Sequence, residues 1–222
     1  MDFEENIESS FYVVWDGLAK KEHDARLAGR GSILFLVPSL SASVDFLLRF
    51  EEKRNGRAYE LTILARPNDV GRAFDKKYKT AIECLRYGHL IAKGAGHPRE
   101  CLAFMLQRDF SRKYGSALID CMGSQTSLSD RLAFIREYYI DPAQARLTSY
   151  SDCYNVIRDA DLNQKWVSGN YFHNAIKMAV LAKTANISSD DLRRDLVDRE
   201  DGLCSELRDG LDYDYFFEKV IL

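Results

Sequence analysis

The run Ile33-Leu34-Phe35-Leu36-Val37, closed by Pro38, constrains this chain more than any other stretch. It falls far short of the roughly 18 apolar residues of a membrane helix. It suits a strand buried on both faces. Segments of a different period surround it. Ile7, Phe11, Val14 and Leu18 recur at helical spacing, which predicts an amphipathic helix ahead of the break at Gly29-Arg30-Gly31. Val44, Leu47, Leu48 and Glu51 follow Ser39 and Ser41, two residues suited to capping, so a second helix is expected, ending near Asn55-Gly56. Tyr59–Ala65 is rich in strand formers and stops at Arg66-Pro67, and Ala73, Phe74, Tyr78, Ala81, Ile82 and Leu85 predict a third helix. Strand, helix, strand and helix in that order is the pattern of an α/β layer with parallel strands.

Two further strands are expected at Cys101–Leu106 and Ser116–Cys121, after which the pattern changes. Leu128, Leu132, Ile135 and Tyr139 share one helical face, and Asp141-Pro142 opens another helix with Pro at its first position. Trp166–Ala185 reads as helix, and Ser188 or Ser189 caps a last one through Leu192 and Leu196. The expected architecture is an α/β N-terminal half, residues 1–127, with a short, mostly parallel sheet and flanking helices. A helical C-terminal half, residues 128–222, packs against it.

Composition narrows the class. With 46% hydrophobic and 12% aromatic residues the chain is too apolar for a low-complexity disordered protein. The acidic start, Met1-Asp2-Phe3-Glu4-Glu5, does not read as a secretory or transit signal. Cys84, Cys101, Cys121, Cys153 and Cys204 are odd in number, widely spaced and without a CxxC pair. They read as reduced, buried thiols of a soluble cytoplasmic protein with no membrane contact. The net charge of −3 hides a polarity: Arg49–Lys113 holds 15 basic against 8 acidic residues, and Asn186–Leu222 holds 5 against 11. Solvated helix faces explain such blocks, as does a polyanion-binding surface on the basic part.

Open α/β sheets bind ligands beyond the carboxyl ends of their strands. Here those ends carry Ser39 and Ser41, then Arg66 and Asn68, then Asp120 and Ser124. Hydroxyls, a guanidinium, amides and two carboxylates suit an anionic or hydroxylated small ligand, a phosphate-containing one among them, although the same residue types also serve plain turns. There is no GxGxxG, Walker-type loop, GxSxG or HExxH, so neither a cofactor nor a metal is expected. The nearest approach to a phosphate loop is Lys93-Gly94-Ala95-Gly96-His97-Pro98-Arg99.

Val37-Pro38-Ser39, Leu64-Ala65-Arg66-Pro67, His97-Pro98-Arg99 and Gly123-Ser124 fall in an order that distantly resembles the phospholipase D-like phosphodiesterases. The resemblance covers about half the chain; Arg99 stands where that family has Lys, and Phe104 where it has Asp. It implies His97 as a nucleophile on phosphorus and Arg99 as a neutraliser of phosphate charge. An enzyme of this kind would also use Arg66 as a phosphate clamp and Asp120 as a proton carrier. The leading expectation is instead a binding or regulatory protein, acting through protein or small-anion contacts.

Met178–Ser188 leading into Ser189–Leu196 resembles a helix-turn-helix. Asp190, Asp191 and Asp195 flank Arg193 and Arg194 there, which argues against nucleic acid and for an ordinary helix hairpin. A protein partner, or self-association through the helical half, is the partner expected. The apolar, aromatic tail Leu211–Leu222 is expected to dock on its own chain.

Overall fold

In this computed structural model the described residues are 3–15, 20–22, 32–37, 39, 41–53, 58–67, 104–106, 118–120, 125–159 and 171–197. They form two compact units. The first comprises Met1–Arg66 with Met105–Arg146, and the second Pro67–Phe104 with Leu147–Leu222.

The first unit opens with helix α1 (Phe3–Val14) and continues through strands β1 (Lys20–Glu22), β2 (Ser32–Val37), β3 (Val44–Lys53) and β4 (Ala58–Pro67). Short strands β5 (Phe104–Met105), within which the division between the units falls, and β6 (Leu118–Asp120) follow. The strand order is β1-β2-β3-β4-β5, with β6 also paired to β4. The sheet is antiparallel, not mostly parallel. Lys21 lies opposite Phe35 in β1–β2, Phe35 opposite Leu48 in β2–β3, and Tyr59 opposite Ile119 in β4–β6, each in antiparallel register. Between β3 and β4, Asp45 meets Arg66 and Arg49 meets Thr62, so numbers rise on one strand as they fall on the other.

One segment accounts for the difference from the expected parallel sheet. The spacing of Val44, Leu47, Leu48 and Glu51 imitates a helix, but Val44–Lys53 is a strand. Val44, Phe46, Leu48 and Phe50 are all buried and alternate along it, the period of a pleated strand. Leu47, on the opposite face, is buried too, and it completes the false helical stripe. With the intervening helix replaced by a strand, short connections suffice, and short connections give antiparallel pairs; parallel strands need crossovers of a dozen or more residues.

The core of this unit is aromatic. Register places Phe35, Leu48 and Phe50 on one face of the sheet. Phe11 of α1 stacks on Phe35 with ring centroids 4.3 Å apart, meets Phe50 edge-on at 6.3 Å, and stacks on Trp15 at 4.6 Å. Helix α2 (Gln125–Ile135) packs against α1 and buries Leu128, Leu132 and Ile135. The helix then widens into a π-helical stretch, Arg136–Ile140, and resumes as α3 (Asp141–Arg146). Tyr139 continues the expected stripe and is buried. Arg136 ties this stretch to the end of α1 by donating to the Val14 carbonyl.

The described part of the second unit is largely helical: α4 (Tyr150–Arg158), α5 (Tyr171–Thr184) and α6 (Ser189–Val197), with α5 packed against both others. Helices α4 and α6 start with the same device. Ser149 Oγ accepts the Asp152 N–H at 3.1 Å, and Ser188 Oγ accepts the Asp191 N–H at 3.1 Å. Each serine hydroxyl in turn donates to the carboxylate three residues on, at 2.8 and 2.6 Å. These are serine N-caps whose hydroxyl is oriented by the Asp at the third helical position. Helix α5 stops at a left-handed residue, Asn186, with φ of 57°. The Ile187 N–H reaches back to the Ala182 carbonyl at 2.8 Å and the Asn186 N–H to that of Lys183 at 3.4 Å. This is the hydrogen-bond pattern of a Schellman stop, with Asn supplying the conformation that Gly usually takes.

Candidate functional site

Three of the expected ligand residues converge on one end of the antiparallel sheet. Ser39 and Ser41 lie in the turn from β2 to β3, and Arg66 lies near the end of β4, across from the start of β3. Their polar groups are used locally. Ser39 Oγ accepts the Ser41 N–H at 3.1 Å, and Ser41 Oγ accepts the Ser43 N–H at 3.0 Å. The residues expected to cap a helix therefore build successive serine turns at the mouth of a hairpin. Arg66 Nη2 pairs with Asp45 Oδ2 at 3.1 Å, their side chains 22% and 25% exposed. Its Nε is buried and makes no hydrogen bond. An anion reaching this guanidinium would have to compete with a carboxylate already in place.

Asp120 belongs elsewhere. Its partner across the sheet is Ala58, at the opposite end of β4 from Arg66. Eight residues of extended chain separate Ala58 from Arg66, about 26 Å along the strand. Arg66 and Asp120 thus sit at opposite ends of one sheet. His97, Arg99, Asn68 and Ser124 lie outside the described residues, as do the third expected helix and the tail. The phosphodiesterase resemblance also needs a helix between its first two strands, and that segment is β3.

Several polar positions were not singled out from the sequence. Tyr154, 1% exposed, donates from its hydroxyl to Asp195 Oδ2 at 2.7 Å and so links α4 to α6. Burial and then this hydrogen bond push its phenol well above the usual range, so it stays protonated as a donor. Cys153 beside it is, as expected from the sequence, a free buried thiol; burial pushes it up to about 12, so it is inert rather than nucleophilic at neutral pH. Lys177 is 3% exposed, with its ammonium over the Phe104 ring at 5.5 Å from the centroid. Of the two serine caps, the sequence reading expected only the one at Ser188 or Ser189; the Ser149 cap was marked just by its Ser-x-x-Asp spacing. The Tyr154–Asp195 bond joins residues 41 apart and leaves no local signal.

Exposed groups mark a different kind of surface. In the first unit Tyr12, Val13 and Tyr138 are large apolar side chains 42%, 67% and 56% exposed. Tyr12 donates to Glu8 at 2.9 Å, and the Tyr138 ring lies against Phe134 at 4.4 Å. The Arg136 bond to Val14 brings the end of α1 beside the π-helical stretch that carries Tyr138. Among the described residues no group of three or more His, Cys, Asp or Glu is placed to hold a metal. Nor is any described helix long and apolar enough to cross a membrane. Compared with known proteins, the chain matches no family model, no curated protein and no solved structure.

Proposed function

We propose that this chain acts by binding, as a regulatory protein whose first unit self-associates through the surface of α1 and the π-helical stretch. The observation that carries this reading is the exposure of Tyr12 and Val13 on α1 and of Tyr138 on the π-helical stretch, two elements joined by the Arg136–Val14 hydrogen bond. Apolar groups gathered on a surface favour contact with another protein over water, and aromatic side chains gain most from it. A small-anion role receives less support, because Arg66 is held by Asp45 and the two serines by their own turn.

Sedimentation velocity over a range of concentrations tests the proposal. The wild type is expected to move toward a dimer-sized species at concentrations up to about 100 µM, the regime of a small interface. Val13→Asp and Tyr138→Asp, both at exposed sites, should remain monomeric with unchanged helix content. A wild type that stays monomeric throughout, or variants that associate as it does, would contradict the reading.

A further inference from the structure

The continuous helix that packs beside α1 holds one residue more than its buried stripe requires. Leu128, Leu132 and Ile135 of α2 are buried, and so are Ile140, which ends the π-helical stretch, and Ala143 of α3. In an uninterrupted α-helix Ile140 and Ala143 would stand about 140° and 80° round from Ile135. With one residue fewer they would follow Ile135 by four and seven places, within about 40° of it, and Tyr139 would follow by three. That is the spacing of a single apolar stripe.

The π-helical stretch absorbs the surplus. The Asp141 N–H donates to the Arg136 carbonyl five residues back, and the flanking residues Ile135 and Asp141 keep right-handed helical backbone. An α-helix one residue shorter would bury the same stripe, so the core does not call for the extra turn width. What the surplus adds lies outside the core, where Glu137 and Tyr138 are exposed, the tyrosine by 56%. Such turns within α-helices are rare and recur at functional sites.

A second observation ties this turn to α1. Arg136, its first residue, donates from Nη1 to the Val14 carbonyl at the end of α1. The last carbonyls of a helix have no partner within it, and a cation there complements the helix dipole. Arg136 Nε also lies 3.9 Å from Oδ1 of Asp141, the residue that closes the turn. One arginine thus joins the end of α1, next to Tyr12 and Val13 in the chain, to both ends of the turn that carries Tyr138.

We propose that the surplus residue is a binding device: the π turn, clasped to α1 by Arg136, presents Tyr138 to the same second copy that Tyr12 and Val13 meet. The inference rests on the self-association proposed above and makes the turn, rather than the apolar side chains alone, the determinant of that contact. Association and stability should therefore part company when the turn is removed.

Deletion of Glu137 restores the four-and-seven spacing and keeps both tyrosines. Sedimentation velocity and thermal melting of the full chain, beside the wild type, test the proposal. The deletion variant should keep its helix content and melt at the wild-type temperature or above, yet lose about tenfold or more in association. Arg136→Gln keeps the length of the turn and removes the clasp, so it should also lose association. Arg136→Lys, whose ammonium can reach the same carbonyl, should recover part of it. If the wild type associates and the folded deletion variant does so equally, this inference alone is overturned. A monomeric wild type overturns it together with the self-association reading. A folded deletion variant that melts well below the wild type would show that the core needs the turn, and overturns it too. Should the deletion variant not fold, Arg136→Gln decides: weaker association at an unchanged melting temperature supports the proposal, and unchanged association overturns it.

Discussion

In the first unit Phe11 meets Phe35 and Phe50, side chains brought together from three elements with long separations along the chain. In the second, Ser149 meets Asp152 and Ser188 meets Asp191, each within one helical turn. One unit depends on non-local aromatic packing across a sheet, whereas the described part of the other depends heavily on local caps around packed helices. The contrast bears on stability and on function alike. Aromatic burial resists single polar changes at the surface, which leaves Tyr12, Val13 and Tyr138 available for contacts. Locally capped helices use Asp152 and Asp191 within their first turns.

The largest expected effect lies in the aromatic stack. Phe11→Ala removes the ring that links α1 to the sheet and should cost about 3–5 kcal/mol, read from urea denaturation. A loss below about 1 kcal/mol would mean that the stack does not organise the unit. Tyr154→Phe keeps the ring and deletes the bond to Asp195. It should cost about 1–2 kcal/mol, because the carboxylate is only half-buried and water can replace part of the bond. This is the long-range exception to the local character of the second unit, and no measurable loss would make the local description complete.

Ser10→Ala tests the first unit from the other side. Ser10 is fully buried on α1 and its hydroxyl makes no hydrogen bond. Alanine removes an unsatisfied donor and is a better helix former, so the variant should gain roughly 0.5–1 kcal/mol. Destabilisation would show that the hydroxyl has a partner in solution.

The smallest effect concerns the caps. Asp152 lies below the usual carboxylate range, chiefly through hydrogen bonds from Thr148 and Ser149, and Asp191 does so chiefly through Ser188 and then Arg194. A folded value below the unfolded one means that their stabilisation is fully present above about pH 4. It fades as pH falls through the lower folded value. Both groups are only partly buried, so only a slight bend in the acid limb of stability is expected. Asp152→Asn should reduce that bend, and an unchanged limb would remove the cap from the account.

What was legible in the sequence followed the same division. Ile7 and Phe11, Leu128 to Tyr139, and Leu192 with Leu196 announced helical faces because their partners recur one turn away. The Ser188 cap was visible for the same reason. Val44–Lys53 misled because burial on both strand faces, with Leu47 opposite Phe46 and Leu48, produced a stripe that fits either period. Strand pairing is a non-local choice, and only the register distinguishes the two. Arg66 was correctly placed at a strand end, yet its partner Asp45 comes from the segment read as helix. Once that segment was misread, the pairing could not be anticipated, and an occupied guanidinium looked like an anion clamp.

The account therefore turns on the conformation of Val44–Lys53, and backbone NMR of the labelled chain measures it directly. An antiparallel strand predicts Cα shifts displaced upfield throughout this segment, with cross-strand contacts between the backbones of Phe35 and Leu48. Downfield Cα shifts with sequential amide–amide contacts across Val44–Glu51 would restore the helix and contradict the sheet, the Asp45–Arg66 pair and the reading of the site built on them.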